Sequence, residues 1–231
     1  MNPTRTLATG ALVAGIVVLV ISQMFVRMQL RTVEPLNGAF GNEAMIAFEL
    51  ARTPAELARV IGTDPPSDDA SAVRKALDDA DRLDFYYMAV YAAFIALSFV
   101  VLTRERGRRW LLLGAVLGPV AALCDVAENF VLLQLTQSGA DVIALLPQLE
   151  LRTMLKWELL VITAALFAAG LVGRGRVSTT FAVVIIALNL GAGAMTLVQP
   201  AQFGVVLLYS IAVAWVWQIG YAARIAFRSN G

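Results

Sequence analysis

Residues 110–135 read WLLLGAVLGPVAALCDVAENFVLLQL, an apolar run that nonetheless carries Asp125, Glu128 and Asn129. About 20 consecutive apolar residues are enough to cross a hydrocarbon core as a helix. A charge at mid-bilayer costs at least ~2.5–3.5 kcal/mol on insertion scales, so two acids in one span require partners or a purpose. Their i, i+3 and i+4 spacing places all three polar side chains on one helix face.

Comparable runs recur along the 231-residue chain, at roughly 7–25, 84–103, 110–135, 153–173, 179–198 and 203–223. With 59% hydrophobic and 15% charged residues, the chain lies far from a soluble protein, where about 25% are charged. Mean hydropathy is +0.73. Backbone polar groups in lipid must be satisfied within the segment, and runs of this length and continuity mean helices rather than barrel strands. The expected fold is therefore all-α: a single integral membrane bundle of six transmembrane helices, with a short helical extracytoplasmic insert at 26–82 between the first two.

Arginine placement sets the orientation. The loop 104–109 carries four arginines, Arg174 and Arg176 separate the fourth and fifth spans, Arg224 and Arg228 follow the sixth, and Arg5 precedes the first. The opposite connections, Thr136 to Leu149 and Gln199 to Gln202, hold no lysine or arginine. The positive-inside rule puts both termini in the cytoplasm. The insert carries seven basic residues and ten acids, and long segments translocate largely regardless of charge. No small-x-small site follows Ser22, so the first span reads as an uncleaved signal-anchor. Cys124 stands alone, so no intramolecular disulfide forms.

The insert has its own helix signals. Thr53-Pro54-Ala55-Glu56 has capping-box spacing with proline at the first helical position, and Gly62 is placed to end that helix. Glu43 to Ala51 is also helix-compatible, Asp64-Pro65-Pro66-Ser67 breaks the chain, and a run starting at Ser67-Asp68-Asp69 leads toward the second span. Without cysteine and with few large hydrophobes, about 55 residues of this kind hardly bury a core of their own. The short helices are expected on the outer rim of the bundle or along the bilayer surface, as a plain connection or as a lid.

A rise of 1.5 Å per residue places Glu128 roughly 9 Å and Asp125 roughly 14 Å below the outer end of span three, with Lys156 and Glu158 roughly 6–9 Å down span four. Asp84 opens span two, with Tyr87 and Tyr91 on its face. The candidate ligand- or ion-binding set is Asp84, Asp125, Glu128, Asn129, Lys156 and Glu158; Arg82 and Arg152 are further cations at the same level. Glu158 follows Lys156 by about 200° of helix, so both cannot face span three. Two arrangements fit. Lys156 can pair with Glu128 or Asp125 in a network that fixes helix register. Alternatively, Lys156 and Arg152 snorkel away and leave an outward acidic pocket, in which a carboxyl holds a proton or the oxygens, with Asn129, hold a hard cation such as Ca²⁺ or Mg²⁺.

Other polar residues read as packing. Asn189, Thr196 and Ser210 donate across helices, while Gly114-x-x-x-Gly118 and Gly191-x-Gly193 permit close approach. Tyr86 and Trp157 fit an outer aromatic belt; Trp110, Trp215 and Tyr221 fit an inner one. The chain has no histidine, which excludes Ser-His-Asp and Cys-His catalysis and histidine-ligated zinc or haem. No P-loop or dinucleotide fingerprint is present and no cofactor is implied. The arginine clusters have a topogenic role, and nothing further supports nucleic-acid binding.

The combination Phe48-Glu49-Leu50-Ala51-x-Thr53-Pro54, Leu83-Asp84-Phe85 and Asp125-x-x-Glu128-Asn129 resembles a family of bacterial multi-helix inner-membrane proteins of unknown function. The resemblance covers roughly residues 1–130 and implies a polytopic fold without an activity. The favoured function is binding or transport of a small solute, proton or cation across the bilayer. The alternatives are a non-catalytic scaffold that associates with other membrane proteins, and a membrane-embedded enzyme using a carboxylate acid/base or a hard metal ion.

Overall fold

The computed structural model describes residues 3–28, 44–63, 68, 70–173 and 175–228. Among these, the long apolar runs become the helices α1 (Pro3–Arg27), α4 (Ala70–Arg106), α5 (Leu112–Leu135), α6 (Val142–Leu171), α7 (Arg176–Val198) and α8 (Pro200–Ala226). The short helices α2 (Ala44–Glu49) and α3 (Pro54–Val60) lie between α1 and α4, and a 3-10 turn at Arg109–Leu111 leads into α5. No strand occurs among the described residues. Six of the helices are long and apolar enough to cross a membrane; this is a multi-pass, all-α membrane protein.

The six long helices form a ring in chain order: α1 packs on α4, α4 on α5, α5 on α6, α6 on α7 and α7 on α8, with α8 closing against α1. Small residues set the close approaches. Gly114 of α5 meets the Phe99 ring of α4, and Gly118 meets Ile95 one turn along. The outer perimeter stays apolar, with Val13, Val116, Leu123, Leu151, Val183 and Val213 exposed; facing water it would form a patch far larger than soluble proteins carry. Phe94, Phe99, Leu102, Leu132 and Phe167 fill the interior.

The start of α1 and the end of α8 lie at one end of the bundle. There Arg5 Nε donates to the Ala226 carbonyl at 3.3 Å, and Arg106 Nη2 donates to the Val172 carbonyl at 2.8 Å. The insert lies at the other end. α4 has 37 residues, about 55 Å of helix against a hydrocarbon core of about 30 Å. Its first turns therefore stand clear of the apolar part and continue unbroken into it, as the sequence run from Asp68 suggested. Of the residues proposed to break and restart the chain there, 64–67 and 69 lie outside the described set.

α3 begins where its sequence signals say. Thr53 Oγ1 accepts from Glu56 N at 3.2 Å, Glu56 Oε2 accepts from Thr53 N at 3.0 Å, and Gly62 follows the helix with φ 75°. The insert does not stand alone: Phe48 of α2, with Leu57 and Val60 of α3, joins the core of the bundle.

Two expectations need correction. α6 begins at Val142 rather than near 153, so only Thr136 to Asp141 connects α5 to α6. Asp141 starts it by accepting from Ala144 N at 3.2 Å, and Leu146 and Leu149 are buried against the bundle. Trp157, Trp215 and Tyr221 are buried rather than belt residues, because each packs toward the ring's interior. Trp215 lies 5.6 Å from Tyr91 and 6.2 Å from Phe94, and Tyr221 lies 5.7 Å from Phe167.

Candidate functional site

The polar faces of α5 and α6 point at each other. On α6, Thr153, Lys156, Trp157 and Leu160 are all buried, the i, i+3, i+4, i+7 pattern of an inward stripe. On α5 the matching stripe is Asp125, Glu128, Asn129 and Leu132. Lys156 is 3% exposed and turns inward. Its Nζ lies 2.8 Å from Glu128 Oε2, 3.2 Å from Asp125 Oδ1 and 2.8 Å from Glu49 Oε2. Of the two arrangements open to it, Lys156 adopts the paired one.

Glu49 is the residue that sequence reasoning left out of the set. It ends α2, in the insert, and reaches onto the bundle. Its Oε2 also accepts from Trp157 Nε1 at 3.2 Å. Burial pushes the Glu49 carboxyl above the usual glutamate range, against the opposing pull of the Lys156 ammonium. The Thr153 hydroxyl lies 2.9 Å from Glu128 Oε1 and 3.2 Å from the Glu49 carbonyl oxygen; its single proton serves one at a time. An acid flanked by Phe48 and Leu50, in a stretch otherwise rich in small apolar residues, was the available signal for a buried Glu49.

α4 supplies the rest. Tyr91 OH donates to Asp125 Oδ2 at 2.8 Å. Asn129 Nδ2 donates to Asp84 Oδ2 and to the Asp81 carbonyl, each at 3.0 Å. Asp81 is fully buried, and neither carboxyl oxygen has a hydrogen-bond partner among the described residues. Asp81-x-x-Asp84 repeats the spacing of Asp125-x-x-Glu128, which was the available signal for a second inward acid on α4.

The structure thus gathers Asp84, Asp125, Glu128, Asn129 and Lys156 and adds Glu49, Asp81, Tyr91 and Thr153. It does not gather Glu158, which lies on the other side of α6 against Gly193 of α7. Arg82 is exposed. Arg152 binds backbone, with Nη1 2.7 Å from the Ala127 carbonyl oxygen. No group of three or more acidic, cysteine or histidine side chains among the described residues is set to hold a metal ion; the ammonium of Lys156 occupies that central place. Elsewhere Asn189 Nδ2 donates to the Ser210 carbonyl at 3.3 Å and Ser210 Oγ lies 3.4 Å from Asn189 Oδ1, as expected across α7 and α8, whereas Thr196 Oγ1 donates back to the Ala192 carbonyl of its own helix at 2.8 Å.

The site is chemically lopsided. Five buried carboxyl groups (Glu49, Asp81, Asp84, Asp125 and Glu128) surround one buried ammonium. Fully ionised, they would leave four negative charges without a buried cation among the described residues, at a desolvation cost of several kcal/mol for each. No family profile, curated protein or solved structure matches the chain.

Proposed function

We propose that this protein moves protons, or a small ion or solute coupled to them, across a bacterial inner membrane, and that the buried cluster is its outward-facing exchange site in an occluded state. The surplus of buried carboxyls over cations carries this reading. Such a cluster must hold protons, and the number it holds changes whenever one member leaves. In the proposed orientation both termini and the arginine loops face the cytoplasm, and the insert faces outward. Glu49 is then a latch: it belongs to the segment that covers the site and is held by Lys156 and Trp157. Release of Glu49 exposes Asp125, Glu128 and Lys156 to the outer solution; its return seals them. Kinship with the bacterial family that the sequence resembles is part of the same proposal.

The test is proton flux in proteoliposomes with a trapped pH dye and an imposed pH gradient. Wild-type protein should pass protons faster than empty vesicles, Glu49→Gln should pass them faster still, and Asp125→Asn should abolish the flux. Folded wild-type and Glu49→Gln proteins that both match empty vesicles would overturn the proposal and leave the cluster as a clamp within a membrane scaffold.

A further inference from the structure

A second set of buried polar groups lies deeper in the bundle, along the seam between α4 and α8. Gln218 of α8 is 0% exposed, and neither its Oε1 nor its Nε2 has a hydrogen-bond partner among the described residues. Ser98 of α4 is 1% exposed with its hydroxyl equally unpartnered, and the Trp215 Nε1 of α8 has no acceptor.

Helix periodicity puts Ser98, Trp215 and Gln218 on one line. α4 and α8 both run from the insert end toward the end where α1 starts. They meet where Trp215 lies 5.6 Å from Tyr91 and 6.2 Å from Phe94. One turn on, Ser98 succeeds Phe94 and Gln218 succeeds Trp215 along that seam. α1 covers it closely: a Cβ on Gly15 would stand 2.6 Å from Ile219 and 2.9 Å from Phe94. At the upper end stands Tyr91, whose hydroxyl is bonded to Asp125. Ser98 lies about 21 Å beyond Asp84 along α4, in the other half of the bundle.

A primary amide, a hydroxyl and an indole N–H buried without partners are otherwise a liability in an apolar helix bundle. Water is the ligand that satisfies all of them, since each molecule offers two donors and two acceptors at sites of this polarity. We propose that Ser98, Trp215 and Gln218 hold a file of water that continues the outer carboxyl cluster, through Tyr91, toward the cytoplasmic end. Along that file each proton hop breaks one O–H bond and forms another on the next oxygen, and the surplus charge leaves at the far end. The amide of Gln218 both donates and accepts, so it orders the file without itself taking the proton. This inference rests on the proton-linked reading above, but its hydration can be measured separately.

The experiment uses the full chain with Cys124→Ser as background, in membranes. Single cysteines at Ser98→Cys and Gln218→Cys are exposed to a small cationic methanethiosulfonate reagent. Ile95→Cys, on the same helix but packed on Gly118, serves as the dry control. Thiols react only where water lets the thiolate form, so the two seam positions should label about tenfold faster than Ile95→Cys or better. Gln218→Leu should lose most of the proton flux, and Gln218→Asn, which keeps the amide, should recover it. Seam cysteines labelling no faster than Ile95→Cys, or undiminished flux in folded Gln218→Leu, overturns this inference even if wild-type flux is present. Fast seam labelling without any wild-type flux instead overturns the outer-site proposal and leaves a hydrated seam.

Discussion

Replacing Lys156 with methionine keeps most of the side-chain length and removes the charge that three carboxylates share at 2.8, 2.8 and 3.2 Å. Deleting one partner of a buried pair costs about 3–5 kcal/mol, because the charge left behind stays buried. Here three acids are left, relieved only by Tyr91 on Asp125, Thr153 on Glu128 and Trp157 on Glu49. The loss should therefore sit at the top of that range, about 5 kcal/mol. Glu128→Gln alone removes one charge-assisted contact while Lys156 keeps two other acids, so it should cost about 1.5–3 kcal/mol. In the double variant the glutamine removes one of the stranded charges. The combined loss should fall short of the sum by about 1–3 kcal/mol. Reversible unfolding in mixed micelles, followed by tryptophan fluorescence, gives all four corners of this cycle. Strict additivity, or a Lys156→Met protein as stable as its parent, would refute the reasoning.

Other outcomes follow from single contacts. The Glu49 carboxyl is raised by burial, so the folded state holds its proton more tightly than the unfolded chain does. The stability it contributes is complete below the ordinary glutamate range and is lost as pH rises through the raised value; Glu49→Gln should flatten that part of the stability–pH curve. Gly118→Val brings a Cβ to 2.5 Å from Ile95 Cγ2, and the overpacked α4–α5 contact should lose about 1–3 kcal/mol in the same unfolding assay. Asn129→Leu removes the amide that donates to the buried Asp84 carboxyl, and should cost about 1–3 kcal/mol. Thr53→Ala removes one half of the α3 capping box, a loss of about 1 kcal/mol confined to the insert. Limited proteolysis should then cut near residues 53–63 sooner, with global unfolding unchanged.

Hydropathy made the helices legible because an apolar run of this length has few other readings. α6 was shortened at its start because Gln148, Glu150 and Arg152 dilute the apolar signal, while the capping bond of Asp141 is a local event that hydropathy averages away. Asp125, Glu128 and Asn129 stood out because each is anomalous in its own span. Glu49 and Asp81 did not, since Glu49 lies outside the long apolar runs and Asp81 among other polar residues, and both acquire their burial from helices distant in sequence. The inward turn of Lys156 was one of two arrangements open to it, and three carboxylates decide it. Gln218 and Ser98 gave no signal above ordinary helix-packing polarity until the structure left their atoms without partners.

The six-residue link between α5 and α6 has a consequence for how the chain is made. A lone α5 would have to insert with Asp125 and Glu128 unmatched. The short link lets α6 follow within a few residues and fold back on it. The two helices form a hairpin in which Lys156 meets Asp125 and Glu128 across a single short turn. Lengthening that link with a flexible polar insert would separate the two in time during synthesis while leaving the finished contacts within reach.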